Sequence, residues 1–467
     1  MNPLLRAACL LALAAPCLSK ADTAADLQAL RDEIKAMRSQ YEERIRSLES
    51  RLQAAETAAQ ATPPAPAPPA PAPPAPAPAA AAAPAAASAA PGSGTGFNPA
   101  LSLILSGLYT NTSRDPATYR ISGFALPPDA EVGPGTRSFS LAESEVTLSA
   151  NVDPWFSGVA TLSFAPDNSV SVEEAFIQTT SLGRGLTLKA GRFLSSIGYL
   201  NSQHKHVWDF VDAPLAYQAM LGTQYGDDGV QLAWLAPTDQ YLELRGELGG
   251  GRSFPAGGWS GNGAGTSALS LHTGGDIGES SNWRAGLSVL DAKASDQRLL
   301  GPDAFSSGRA DAFSGRTRVW IADAVWKWAP QGNATRTNFK LQGEYLRSTR
   351  DGTLVADVDA LASSTPYRAV QSGWYLQGVY QFMPRWRVGL RTERLDPGSP
   401  DYADNAAFFA PDGWRPRRNS AMLDWNPSEF SRVRLQYAQD RARPGSADNQ
   451  WFLQYQMSLG AHGAHGY

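Results

Sequence analysis

Cysteine is almost absent from this chain, and both residues of this type, Cys9 and Cys17, lie in the first 17 positions. The rest of the chain therefore offers no disulfide and no thiolate ligand. The formal net charge is only −4, from 40 basic and 44 acidic residues, which gives no reason to expect nucleic acid as a partner. No apolar run reaches the roughly 18 to 20 residues of a membrane-spanning helix, so a helical membrane protein is excluded.

Three segments of contrasting composition precede the main part of the chain. Residues 1–21 have the basic start, apolar stretch and small-residue cleavage pattern of a secretory signal peptide. Residues 22–60 carry apolar residues in steps of three and four from Leu27 to Leu52, which predicts a self-associating coiled coil, although a single amphipathic helix gives the same pattern. Residues 61–96 are mainly Ala and Pro and predict an extended linker.

Period-two alternation dominates residues 97–467 and predicts β-strands; in one of them Trp386, Val388 and Leu390 alternate with polar residues. About sixteen strands fit the pattern, and short and long connections alternate along much of it, as in outer-membrane barrels. A water-soluble β-sandwich would show the same strand period but does not account for the loops. The sequence therefore predicts an all-β fold: a transmembrane antiparallel β-barrel of about 16 strands, preceded by the α-helical coiled coil and the Pro/Ala-rich linker.

Aromatic residues cluster at predicted strand ends, among them Trp326 and Trp425, as expected for interfacial girdles. The long predicted loops include 348–368, which separates strands predicted over 335–347 and 369–382.

Successive side chains of a strand point to opposite faces, a property called strand parity here. If Trp386, Val388 and Leu390 face lipid, the residues next to them face the lumen. The pore-lining residues predicted in this way are Arg385, Arg387, Arg391, Arg418, Arg432, Arg434, Asp424, Lys340 and Glu344. Two interpretations of these charges stay open. They either hydrate the inside of the barrel or, through the arginines, favour anions or bind sugar hydroxyls.

The whole arrangement resembles the oligomeric outer-membrane porins, especially phosphate-selective and sugar-specific porin-like families. The run from Ala190 through Gly198 to Asp212, which includes His204 and His206, also resembles barrels catalogued as zinc-regulated TonB-dependent outer-membrane receptors. The resemblance to porins implies a barrel without a plug domain in the Gram-negative outer membrane, with the N-terminal segment in the periplasm. It also implies contact with membrane lipid, a small hydrophilic solute, and a homo-oligomer in which a trimer is favoured.

The connection over 201–226 follows the fifth predicted strand, the position of the inward-folded constriction loop of sixteen-stranded porins. Its candidate residues are His204, Lys205, His206, Trp208, Asp209 and Asp212. In an extended stretch His204 and His206 point the same way, and an aspartate would complete a nitrogen and oxygen site for Zn²⁺; otherwise they are ordinary loop residues. His462 and His465 follow the last predicted strand and are expected to be separate from this loop.

The sequence has no Gly-rich phosphate loop, no G-x-S-x-G elbow and no H-E-x-x-H motif, so it predicts no enzyme. Zn²⁺ is the one cofactor for which it offers candidate ligands. The predicted function is passive diffusion of small hydrophilic solutes, with a preference for anions or sugars. The alternatives are a ligand- or zinc-specific uptake receptor and a structural tether that contacts the cell wall through the coiled coil.

Overall fold

The computed structural model of the chain describes residues 99–300, 309–409 and 413–460. The predicted signal peptide, coiled coil and linker lie outside these residues, as do His462 and His465. The predictions for those segments therefore stay predictions.

Seventeen strand segments form one antiparallel sheet in the described residues. In chain order they are β1 (Ala100–Thr112), β2 (Ser138–Leu141), β3 (Ser144–Asn151), β4 (Phe156–Phe164), β5 (Val170–Thr179), β6 (Leu186–Leu194), β7 (Gly226–Leu235), β8 (Tyr241–Gly249), β9 (Thr266–Ile277), β10 (Ser281–Leu299), β11 (Asp311–Trp328), β12 (Asn338–Ala356), β13 (Ser363–Met383), β14 (Trp386–Asp396), β15 (Arg417–Ser428), β16 (Ser431–Arg441) and β17 (Asp448–Gly460). Because β2 and β3 both pair with β1, they act as one interrupted strand, and the wall has sixteen. The predicted all-β fold is confirmed.

The sheet closes on itself through β1, which pairs with β17 on one side and with β2 and β3 on the other. Gly107, for example, lies opposite Tyr455 on β17 and opposite Leu141 on β2. Closure leaves the wall no unpaired edge, which is the condition for a sheet to lie in lipid.

The predicted parity is visible along β17. Trp451 and Leu453 are 48% and 47% exposed on the outer face, whereas Gln450 and Gln454 point inward and are buried. The outer face is thus apolar and the inner face polar.

Aromatic residues of the outer face lie at two heights. Near the short turns, the rings of Trp326 and Phe339 are 5.9 Å apart, and those of Trp386 and Trp425 are stacked at 6.0 Å. Trp320 lies six residues further along β11, about 20 Å away at 3.3 Å per residue. This spacing suits the apolar band of an outer-membrane barrel, which is about 25 Å tall.

Four consecutive strands, β10 to β13, are 18 to 21 residues long, and β12 and β13 extend beyond their predicted ranges into the predicted loop. The connection between β12 and β13 covers only 357–362 instead of 348–368. The hydrogen-bonded ladder continues beyond the apolar band, where outward residues such as Arg318 and Asp351 are polar. The apolar period that identifies a strand in the sequence ends there, although the pairing does not.

The described residues contain one α-helix, α1 (Leu215–Leu221), and four 3₁₀ helices, at Pro116–Thr118, Lys205–Val207, Pro330–Gly332 and Ala403–Phe408. No helix among them combines the length and hydropathy needed to span a membrane. Helix α1 ends at Gly222, whose φ of 65° suits glycine, and all seven of its residues are buried.

An apolar core lies inside the barrel, toward the end that carries the longer loops. Leu215 and Tyr217 of α1 pack there with Ile121 and Phe124 from the loop after β1, and with wall residues such as Ile321. Part of the lumen is therefore filled by the protein's own loops.

Candidate functional site: an inward-folded loop on a charged wall

The loop between β6 and β7, residues 195–225, is called the inner loop. It is fastened at its base by Asn201, whose Nδ2 donates to the carbonyls of Ser195 (2.8 Å) and Tyr225 (2.7 Å). The amide of Tyr225 donates back to Asn201 Oδ1 (2.8 Å). One side chain thus joins the two ends of the loop and holds it as a compact unit.

Glu344 on β12 anchors the middle of the inner loop. Its carboxylate accepts hydrogen bonds from the amides of Tyr199 (3.1 Å) and Leu200 (3.0 Å) and from the hydroxyls of Tyr217 (2.7 Å) and Tyr375 (2.6 Å). Neighbouring Gly198 has a φ of 66°, and a Cβ there would lie 2.4 Å from Glu344 Oε2. Glycine at 198 permits the loop to approach this carboxylate.

One stretch of the inner loop contacts an acidic part of the wall on β3 and β5. His204 Nδ1 lies 3.2 Å from Glu173 Oε2 and 3.4 Å from Glu145 Oε2. His206 Nδ1 lies 3.1 Å from each oxygen of Glu145. Between them Lys205 forms an ion pair with Glu143 at 2.6 Å.

The charge of His204 follows from these neighbours. Burial alone would lower the pKa of His204, but Glu173, Glu145 and Glu174 outweigh it and hold the pKa well above its usual value. Without a metal ion, its imidazole therefore carries a positive charge.

The next stretch contacts a basic part of the wall. Asp209 lies 2.5 Å from Lys340 Nζ and 3.3 Å from Arg387 Nη1. Asp212 lies 2.8 Å from Arg391 Nη2 and 2.6 Å from Arg418 Nη1. The loop thus carries cations to the acidic wall and carboxylates to the basic wall.

The carbonyl of Trp208 completes these contacts, because it accepts a hydrogen bond from Arg434 at 2.9 Å. On the wall itself, Glu393 accepts from Arg391 (2.8 Å) and Arg418 (2.9 Å), and Asp424 accepts from Arg434 (2.7 Å). The pairs Glu393–Arg418 and Asp424–Arg434 join neighbouring strands on the inner face.

The structure changes the assignment of several residues predicted to line an open pore. All of the following face inward but are at most 4% exposed because the inner loop and the wall carboxylates cover them: Glu344, Arg391, Arg418, Arg434 and Asp424. Four of them contact the loop directly, and Asp424 pairs with Arg434 on the wall, so none of the five faces a passage. Sequence parity gives the side of the sheet to which a residue points, but not what covers it.

The structure also changes the assignment of Arg385, which strand parity predicts to line the pore. It lies outside β14, exposed in the turn after Met383, with a φ of 74°. Strand parity does not apply to a turn residue, so Arg385 is not part of the inner wall.

Sequence reasoning also missed the loop after β1, residues 113–137, which covers helix α1. The amide of Gly133 donates to Gln218 Oε1 (2.9 Å), and Thr223 Oγ1 donates to the carbonyl of Glu131 (2.5 Å). From the wall, Gln371 Nε2 donates to the carbonyl of Gly123 (2.7 Å). The only sequence signal for this docking is a set of apolar residues, such as Ile121 and Phe124, inside a long loop.

A group of inward-facing cations near the short turns was recognised only in part. The group, called the basic belt, consists of Lys189, Arg245, Arg284, Lys327, Lys340, Arg387 and Arg432. Each of these residues lies within five residues of the strand end that leads into a short turn. Strand parity turns Lys189, Arg245, Arg284 and Lys327 inward just as it does Arg432, so the sequence contains the signal for the whole belt.

Four belt residues, Lys189, Arg284, Lys327 and Arg432, form no ion pair with any described residue. Lys189 Nζ lies 4.3 Å from the ring centre of Phe176, and the Arg284 guanidinium lies 5.4 Å from that of Tyr199. Lys327 is half-buried and faces inward. Among the described residues, ion pairs join the belt to three carboxylates: Glu243, Asp209 and Asp424.

No protein-family model matches the chain. An uncharacterized protein of Aquifex aeolicus (strain VF5) is 33% identical over 358 residues, a match that covers 70% of this chain and 70% of the relative. The chain belongs to the family of this Aquifex protein.

Solved outer-membrane barrels are more distant from this family member. The DcaP channel of Acinetobacter baumannii is 12% identical, with a TM-score of 0.49 over 78% of this chain and 98% of the other. An anion-selective porin from Comamonas acidovorans is 9% identical, with a TM-score of 0.46 over 78% and 100%. OprB of Pseudomonas putida is 14% identical, with a TM-score of 0.45 over 78% and 94%. At such low sequence identity these comparisons concern the fold alone.

Proposed function

We propose that the protein is an outer-membrane porin that passes small hydrophilic solutes by diffusion and prefers anions. The observation that carries the proposal is the basic belt, where seven inward cations form ion pairs with three carboxylates of the described residues. Within that part of the chain, Lys189, Arg284, Lys327 and Arg432 form no ion pair and add positive charge to the lumen. In a narrow, partly desolvated passage, fixed cations concentrate anions and repel cations.

The outer face supports a place in a membrane. It is apolar, it closes without an edge, and aromatic residues such as Trp326 and Trp320 lie about 20 Å apart along it. Both β1 and β17 have their chain-terminal ends at the short-turn side. In an outer-membrane barrel that side faces the periplasm, so we place residues 22–60 there.

The inner loop limits the size of the solute. It enters from the long-loop end, yet Asp209 reaches Lys340, the third residue of β12 from the short turns. We place the free part of the lumen beside Lys189, Arg284 and Lys327, which lie on β6, β10 and β11 and form no ion pair with a described residue. Arginine and lysine donors there suit phosphate, carboxylate or sulfate groups, and they would also bind the hydroxyls of a sugar.

Liposome swelling tests channel function directly. Full-length protein is reconstituted into liposomes, and swelling rates are compared for small anions, sugars and larger oligosaccharides. We expect fast swelling with small solutes and a steep loss with size. Swelling equal to that of protein-free liposomes for every solute would contradict a passive channel.

A ligand-responsive uptake receptor is the second candidate. The observation that favours it is the burial of the inner loop against both charged walls, since a closed resting state would need a signal to open. A saturable solute-induced rise in conductance, in place of a constant conductance, would support the receptor over the porin.

We also propose that the protein is a homo-oligomer, with a trimer favoured, held together in part by residues 22–60. Deleting this segment should weaken the oligomer while the barrel still folds. Sedimentation in detergent, with and without the deletion, measures the effect; a monomer in both cases would contradict it.

A further inference from the structure

Nitrogen and oxygen donors from two parts of the chain converge inside the barrel. The inner loop supplies His204 and His206, and the wall supplies Glu145 on β3 and Glu173 on β5. One donor atom from each of Glu145, His204 and His206 lies within 4.8 Å of the others. Glu145 is 1% exposed and His206 is 8% exposed, so the cluster is shielded from bulk water.

The separations between these donors match those around a small divalent ion. Zn²⁺ binds nitrogen and oxygen at about 2.0 to 2.1 Å in tetrahedral sites, which places its ligands about 3.3 to 3.4 Å apart. His204 Nδ1 lies 3.4 Å from Glu145 Oε2 and 3.2 Å from Glu173 Oε2. His206 Nδ1 lies 3.1 Å from Glu145 Oε2.

A fifth residue orients the His204 ring as metal-bound histidines are usually oriented. His204 Nε2 lies 3.0 Å from Glu174 Oε2, and Glu174 is itself fixed by the amide of Leu194 at 2.9 Å. A proton on Nε2 leaves the lone pair of Nδ1 directed at Glu145 and Glu173. In the metal-free ring a proton on Nδ1 satisfies these carboxylates; when a metal ion replaces that proton, Nδ1 becomes a ligand.

The charge balance of the cluster is negative. Four carboxylates, those of Glu143, Glu145, Glu173 and Glu174, lie here, and in the described residues Lys205 is the only lysine or arginine that forms an ion pair with them. A divalent ion would offset this excess, whereas a larger ion such as Ca²⁺ prefers six to eight oxygen ligands.

We propose that Glu145, His204 and His206 form a Zn²⁺ site, with Glu173 beside His204, that fixes the inner loop to the wall at β3 and β5. Imidazole together with carboxylate suits Zn²⁺ or a similar transition-metal ion. The proposal goes beyond the channel function, because binding of the ion can be measured without any conductance.

Calorimetric titration of metal-depleted full-length protein in detergent tests the site. Zn²⁺ is expected to bind with one ion per chain, and Co²⁺ to give the visible absorption of a tetrahedral site. The changes Glu145→Gln and His204→Ala with His206→Ala should abolish this binding. Glu174→Gln, which removes only the orienting partner, should weaken it about 10- to 100-fold.

Two controls keep the result interpretable. The change His462→Ala with His465→Ala removes the same number of histidines elsewhere in the sequence, and Glu243→Gln removes a lumen carboxylate on β8; both should bind Zn²⁺ like the parent. Each variant is first checked for a heat-resistant folded barrel by gel mobility. Glu145→Gln keeps the size and a hydrogen bond of the native side chain, so it tests the site even if the double histidine variant does not fold.

A second readout follows the loop itself. Zn²⁺ should slow hydrogen exchange of backbone amides over 201–212 in the parent and leave it unchanged in Glu145→Gln. No binding by the parent, or equal binding by parent and Glu145→Gln, would overturn the proposal and leave the cluster as proton-bridged ion pairs. Either result leaves the porin proposal untouched, since swelling measures that separately.

Discussion

The carboxylate of Asp212 lies 2.6 Å from Nη1 of Arg418, so a residue of the inner loop neutralises an arginine of the wall that is only 1% exposed. This pair joins the loop to β15, and Asp212 also pairs with Arg391 on β14. The contact shows how the inner loop is held by charges that would otherwise face the lumen.

Asp212→Asn should loosen the inner loop. The variant removes a carboxylate partner of two buried guanidinium groups, those of Arg391 and Arg418. This should lower the stability of the loop contact by about 1 to 3 kcal/mol. We expect faster hydrogen exchange over 205–221 and larger, noisier single-channel conductance. Asp228→Asn is the matched control, since Asp228 forms an ion pair with Arg192 on the outer face. Identical exchange in both variants would contradict the anchoring role of Asp212.

Gly198→Ala should disturb the loop at Glu344. Alanine at a φ of 66° costs about 1 to 2 kcal/mol, and its Cβ would meet Glu344 Oε2 at 2.4 Å. Gly246→Ala is the matched control, because a Cβ there has no atom within 4 Å. The first variant should lower the unfolding temperature or free the loop amides, and the second should do neither. Equal behaviour of the two variants would show that the backbone conformation at position 198 does not require glycine.

Acid should release the loop only at low pH. Burial alone would raise the pKa of Asp209 and Asp212, but Lys340 and Arg387 beside the first, and Arg391 and Arg418 beside the second, lower the pKa of both below the usual 3.8. A lowered pKa adds stability above the unfolded value, and this stability is lost as the pH falls through the folded value. Loop protection in hydrogen exchange at these residues should therefore persist from pH 8 to 5 and fall only below about pH 4. Loss of the loop protection near pH 6 would contradict the role of these ion pairs in holding the loop.

The basic belt should set ion selectivity. Lys327→Gln with Arg284→Gln removes two inward cations that lack ion pairs, so the preference for anions should fall. Arg347→Gln is the matched control, because Arg347 is exposed on the outer face of β12. The shift in reversal potential under a salt gradient measures the effect. A shift of equal size in the control would show that the belt does not govern permeation.

The barrel could be predicted from the sequence because alternation is a local signal. Trp451 and Gln450 are neighbours in the chain and face opposite sides of the wall, so their order alone reveals a strand. The ends of β10 to β13 could not be predicted, since their outward residues turn polar while the pairing continues.

The site could be predicted only in part. Clustered charges identified the stretch from His204 to Asp212, but its partners are more than a hundred positions away in several cases, as for Asp209 and Lys340. The role of Glu344 as an anchor depends on backbone amides of the loop, which have no signature in the sequence. Burial of the wall arginines under the loop is likewise a property of the folded chain alone.

The reversal potential of the unmodified full-length protein in a planar bilayer tests the central claim most directly. With a tenfold KCl gradient across the membrane, a passage lined by Lys189, Arg284 and Lys327, which form no ion pair with a described residue, should give a potential whose sign shows chloride to be more permeant than potassium. A potential of zero, a potential of the opposite sign, or the absence of any conductance would contradict an anion-preferring channel.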